Sequence, residues 1–173
     1  MSLFDLGGQW FGSAPTRGGS FSEAIEVVLR HEGGYVNDPN DPGGETNFGL
    51  SKRSYPNLQI AALTRDQAMA IYKQDFWNPF PYENIPSSVA TKLFDLAVNM
   101  GSLQAFKLLQ RAVRAVSGHP LLEDGRLGPT SLEAIRQCAE PCLLAALKSE
   151  AAGFYRGLKN PHFEDGWLNR AYS

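Results

Sequence analysis

Apolar residues recur at helical spacing over most of this chain. Phe21, Ala24, Ile25, Val28 and Leu29 form one stripe, which predicts an amphipathic helix ending near Glu32. Ser20 and Glu23 have capping-box spacing, with Ser22 as a rival N-cap. Thr64 and Gln67 predict a second capping box, opening a helix through Ala68, Ile71, Tyr72 and Phe76 that stops before Pro79. A third helix begins near Pro86, buries Val89, Leu93, Leu96, Ala97 and Met100, and stops at Gly101. A fourth runs from Ser102 to about Val116. Pro129 suits the first position of a short helix with Leu132 and Ile135. A long helix from Pro141 carries Leu143, Leu144, Leu147, Ala151, Phe154 and Leu158, and a last short one holds Trp167 and Leu168. Strand signals are confined to residues 44–55, where Thr46 to Tyr55 predicts a short strand or hairpin. The expected fold class is mainly α.

One polar residue extends the first apolar stripe. Glu32 follows Leu29 by three positions and Val28 by four, and Gly33-Gly34 then stops the helix. Apolar neighbours and the negative end of the helix dipole both disfavour a bare carboxylate, which suits a group that donates a proton. The alternatives are a surface Glu at a frayed helix end, or one paired with Arg30 or a distant arginine. Asn37-Asp38-Pro39 and Asp41-Pro42-Gly43-Gly44 are turn signals. They do not build a calcium loop: a frame begun at Asp38 puts Pro42 at its fifth position and Gly49 where a bidentate Glu is needed. His31-Glu32 is not a zinc motif, because Tyr35 stands where the second His belongs. No metal and no cofactor is expected.

The 173-residue chain is 43% hydrophobic and 20% charged, an ordinary globular profile. Its net charge of −2 and pI near 5.9 give no support to a nucleic-acid partner. Cys138 and Cys142 are expected to be free, buried thiols. No apolar run is long enough to span a bilayer, so no membrane partner is expected. The first 20 residues lack the charged and apolar regions of a secretory signal, which implies synthesis in the cytosol and delivery by another route. Residues 1–20, with Gly7-Gly8, Gly12-Ser13 and Gly18-Gly19, read as an arm, either a loose tail or a docking segment.

Several ordered blocks resemble glycoside hydrolase family 108, the N-acetylmuramidases of phage endolysins and secretion-associated lysozymes. They are Glu32-Gly33-Gly34-Tyr35 with Asp41, Gly43-Gly44, Thr46 and Gly49; Asp75-Phe76-Trp77; and Phe94 to Gly101. Leu109-Gln110 with Asp124-Gly125, Gly128-Pro129 and Leu132 resembles the family's C-terminal peptidoglycan-binding module, and Gly166 to Arg170 its closing motif. The similarity covers about residues 21–171. It implies a lysozyme-like helical fold with a small β-hairpin beside the catalytic helix. The implied organisation is an arm at 1–20, a catalytic domain at 21–105 and a helical wall-binding subdomain at 106–173 packed on it. Glu123 and Thr130-Ser131 depart from the module's usual residues, which bears on wall-binding strength.

The implied reaction is hydrolysis of the β-1,4 bond between N-acetylmuramic acid and N-acetylglucosamine in the bacterial wall, by a monomer, with peptidoglycan strands as partner. Glu32 corresponds to the catalytic acid. By analogy with phage-type lysozymes, Asp41 stabilises positive charge or activates water and Thr46 orients that water. Alternatively, Asp41 caps its turn and Thr46 fits a strand. Asp38 and Glu45 are other choices for a second carboxylate. Tyr35, Trp77, Asp95 and Asn99 are the residues assigned to the sugar cleft, although Tyr35 also suits packing under the turn and Trp77 the core. A lytic transglycosylase, which leaves an anhydro sugar, and a non-catalytic peptidoglycan-binding protein are the rival functions.

Overall fold

The computed structural model describes residues 17–37, 44–118 and 120–173. Asp38, Asp41 and most of the N-terminal arm lie outside the described residues. The expected mainly α class holds. Seven α-helices and one small hairpin appear among the described residues: α1 (Phe21–Glu32), β1 (Thr46–Asn47), β2 (Leu50–Ser51), α2 (Arg65–Tyr72), α3 (Ser87–Met100), α4 (Ser102–Ser117), α5 (Pro129–Arg136), α6 (Glu140–Gly157) and α7 (Pro161–Tyr172).

Helix α3 is the axis. Its Val89, Ala90, Leu93, Phe94, Leu96 and Ala97 are all fully buried, and α1, α4 and α6 pack around it. Helix α7 closes the assembly by packing on α6. A single cluster of buried residues runs from Ala24 on α1 to Ala171 on α7. Each large apolar side chain in it contributes roughly 1.5–3 kcal/mol through burial. An aromatic knot sits at one end, where Trp77 stacks on Tyr82 with centroids 4.7 Å apart and meets Phe94 edge-on at 5.2 Å. The Tyr82 hydroxyl is buried there without a hydrogen-bond partner among the described residues.

The helix ends follow local chemistry with one exception. Thr64 and Gln67 form the reciprocal capping box expected of them. Ser20 does not: its hydroxyl lies 2.9 Å from Ser22 instead, and Glu23 is drawn away to Arg17 and Ser87. Helix α2 runs on through Lys73–Trp77 as a π-type turn, with Asn78 N–H donating to the Lys73 carbonyl.

The hairpin pairs Thr46 with Ser51 and Asn47 with Leu50. Its two-residue loop, Phe48 and Gly49, has positive φ at both positions (50° and 79°), the demand of a type I′ turn. Phe48 is held in that uncommon conformation by Tyr72, whose hydroxyl donates to its carbonyl at 2.9 Å. The buried Asn47 amide donates to Ile60 O and Leu63 O, tying the hairpin to the following 3-10 turn. On its outer side, Thr46 exchanges 2.8 Å backbone hydrogen bonds with Val36, which brings the hairpin back beside the end of α1. Cys138 and Cys142 are free; Cys138 is buried, but Cys142 is exposed, because the helix begins at Glu140 and turns it outward.

Candidate active site

Glu32 ends α1, and Gly33 beyond it takes φ 71°, so the chain leaves the helix sharply and the carboxylate is not overlaid by another turn. It projects into a cleft of about 320 Å³ between the hairpin and the helices. Gly49 and Leu50 form one wall, Tyr55, Tyr72 and Phe76 another, and Val98 and the exposed Asn99 the rim. Among the described residues lining the cleft, Glu32 is the only carboxylate. A larger cavity of about 540 Å³ opens on a different face of α1, beside Arg30, His31 and Lys148. It does not include Glu32.

The Glu32 side chain is 19% exposed. Arg170 Nη2 on α7 donates to its Oε1 at 2.7 Å. The other oxygen, Oε2, faces Gly49: a Cβ built there would lie 2.5 Å from Oε2 and 2.6 Å from the Tyr72 hydroxyl. Only glycine lets the hairpin approach so closely. Burial, reinforced by the nearby Glu32, pushes the Tyr72 phenol well above its usual range, so it stays a neutral donor.

Behind Arg170 lies a buried ion network. Asp95 is fully buried, and its Oδ1 accepts from Arg170 Nε at 3.1 Å and lies 2.9 Å from His31 Nδ1. Lys92 Nζ is 3.6 Å from Oδ2, close enough for an ion pair but not for a hydrogen bond. Burial works against the Arg170 charge, but Asp95 and Glu32 outweigh it and hold the guanidinium above its ordinary range. For Lys92, burial dominates and lowers the amine, with Asp95 opposing. The distant arginine that sequence offered as an alternative partner for Glu32 is therefore Arg170, and it coexists with the apolar surroundings.

The cleft brings together Glu32 and Asn99 of the residues expected there. Asn99 Oδ1 accepts from the Tyr155 hydroxyl at 2.7 Å. Asp95 and Trp77 are corrected. Asp95 has no exposed surface for a sugar, because its carboxylate is spent on Arg170, His31 and Lys92. Trp77 is 3% exposed inside the aromatic knot. Tyr35 is exposed outside the described cleft lining, and its hydroxyl donates to Glu45 at 3.2 Å. Thr46 is engaged through its backbone between Val36 and Ser51. Arg170, Gly49 and Tyr72 carry the geometry without a sequence-assigned role. Arg170 stood out in the sequence as part of the closing motif from Gly166, but nothing there tied it to Glu32.

The profile of the family described as Glycosyl hydrolase 108 matches residues 25–101, which hold Glu32, the hairpin, α2 and α3. The solved structure of Brucella abortus SagA is 30% identical, with a TM-score of 0.73, covering 88% of this chain and 89% of that one. The chain belongs to glycosyl hydrolase family 108. No curated protein matches. Family membership makes the chain a glycosidase that acts on peptidoglycan, and the lysozyme-like helical fold is the one expected of it.

Proposed function

We propose that this glycosidase is an N-acetylmuramidase that cleaves the β-1,4 bond between N-acetylmuramic acid and N-acetylglucosamine, with Glu32 as general acid. The observation that carries it is the placement of Glu32: a lone carboxylate among the described residues lining the cleft, fixed at one oxygen by Arg170, with Gly49 against the other. Glu32 delivers the proton to the leaving glycosidic oxygen, and positive charge builds on the N-acetylmuramic acid ring left behind. Asp41 stabilises that charge or activates water and Thr46 orients it, a role resting on sequence spacing and not on contacts.

Mass analysis of muropeptides released by the wild type and by Glu32→Gln tests the reading. Wild type should release fragments ending in reducing N-acetylmuramic acid, and Glu32→Gln should release almost none while keeping the wild-type circular dichroism. Anhydro ends would make the enzyme a lytic transglycosylase. Equal release by the two proteins would remove Glu32 from the chemistry.

A further inference from the structure

His31 and Glu32 are the last two residues of α1, and successive side chains on a helix point roughly 100° apart. Glu32 faces the cleft, while the His31 imidazole turns to Asp95 on α3, its Nδ1 2.9 Å from Oδ1. An ionised carboxylate only accepts, so this nitrogen carries the hydrogen and donates. The contacts close a ring. It runs from Glu32 to Arg170 on α7, from Arg170 to Asp95, from Asp95 to His31, and back to Glu32 through one peptide bond.

Within that ring one nitrogen is shared. Arg170 Nη2 lies 2.7 Å from Glu32 Oε1 and 2.9 Å from Asp95 Oδ1, so two carboxylates compete for it. Asp95 is fully buried and cannot turn to water when a donor is lost. Its Oδ2 has no hydrogen-bond partner among the described residues, so Oδ1 gathers the donors, Arg170 and His31. Lys92 Nζ stays 3.6 Å from Oδ2 and donates to the Arg170 carbonyl at 2.7 Å instead. Removing the His31 donor therefore puts the whole hydrogen-bonding demand of Asp95 on Arg170, at the expense of Glu32.

We propose that His31 is a positioning residue for the Glu32 acid, acting through Asp95 and Arg170. It does not line the cleft and meets no substrate there. Its hydrogen bond satisfies Asp95, which leaves Arg170 Nη2 to aim Glu32. The same bond ties the last turn of α1, and with it the Glu32 backbone, to α3. This role rests on Glu32 being the general acid.

The test measures kcat and KM on purified glycan strands for four variants. His31→Leu and His31→Ala remove the donor, the first keeping bulk and the second leaving room. His31→Asn places an amide N–H as many bonds from the backbone as Nδ1. Val27→Ala loosens the same helix one turn earlier, at a half-buried residue outside the ring. Both donor-free variants should lose roughly tenfold in kcat at an unchanged KM, the signature of a misaimed acid and not of weaker binding. His31→Asn should recover most of that loss, and Val27→Ala should keep the wild-type kcat. In NMR spectra the Arg170 Nε–H signal should move in His31→Leu and His31→Ala, and hold in Val27→Ala. Wild-type kcat in the folded donor-free variants overturns the positioning role, and so does a fall shared equally by His31→Asn or Val27→Ala. Those results leave the acid in place as long as Glu32→Gln is inactive. Equal muropeptide release by wild type and Glu32→Gln overturns the acid assignment, and the role of His31 with it.

Discussion

Arg170 and Glu32 are 138 positions apart in sequence, yet a 2.7 Å hydrogen bond joins them. The guanidinium is shared with Asp95 behind it, so Arg170 acts as a spacer that sets where the Glu32 carboxylate points. Lysine keeps the charge but not the planar fork. Arg170→Lys is expected to lower kcat at least about tenfold with little change in the folded spectrum, since the Glu32 carboxylate loses its fixed orientation. Arg170→Ala leaves Asp95 buried without its main partner and should cost about 3–5 kcal/mol of stability, read from urea denaturation.

Gly49 is a second lever on the same carboxylate. Its φ of 79° and the close approach of Glu32 Oε2 and the Tyr72 hydroxyl leave no room for a methyl group. Gly49→Ala is expected to destabilise the fold by about 1–2 kcal/mol and to displace Glu32, with a larger proportional loss in kcat than in stability. Equal activity at wild-type stability would show that the hairpin does not set the acid's position.

Four buried or half-buried tyrosines, Tyr55, Tyr72, Tyr82 and Tyr155, are all held well above the ordinary phenol range, in each case mainly by burial. A group with a raised folded pKa contributes stability below its unfolded pKa and loses it as pH rises toward the folded value. The fold should therefore weaken from about pH 10 upward, and ultraviolet titration should show phenolate appearing together with unfolding. Tyr82 adds a simpler check. Its hydroxyl is buried and unpaired among the described residues, so Tyr82→Phe should be neutral or stabilising by about 1 kcal/mol in urea.

Gln110 is the staple of the loop before α5. Its buried amide donates to Asp124 Oδ1 at 2.8 Å and to Arg126 O at 3.0 Å, and its oxygen accepts from Gly125 N–H at 2.8 Å. Gln110→Leu should cost about 2–3 kcal/mol, because it strips several partners at once. Gln110 is also the first cause, ahead of the Arg126 N–H, holding the Asp124 carboxyl below its ordinary range. A depressed carboxyl pKa supports the fold above its unfolded value and loses that support as pH falls, so NMR titration of the variant should show Asp124 moving up and the acid limb flattening.

The sequence exposed what is local. The stripe from Phe21 to Leu29, the Thr64–Gln67 box, the Gly33 stop and a hairpin within Thr46 to Tyr55 are each written in neighbouring residues, and each appears in the fold. Glu32 was visible for the same reason, as a carboxylate out of place on an apolar face. The cluster around it was not. Asp95 sits four residues before Asn99 and looks like half of a solvated face, because nothing nearby reveals that Arg170 will cover it. Asn99, one turn on, does reach the cleft. Trp77 has the chemistry of a sugar platform, but Tyr82 and Phe94 enclose it. Ser20 has cap spacing, but its hydroxyl turns to Ser22. These outcomes are decided by which helix arrives from far along the chain.

That long separation has a consequence in time. The ribosome releases Glu32 well before it reaches Arg170, a delay on the order of ten seconds at ordinary elongation rates. Until α7 emerges and docks, Asp95 lacks its guanidinium partner and Glu32 has nothing to aim it. The position of the Glu32 carboxylate is thus set only once α7, far along the chain, has docked on α6.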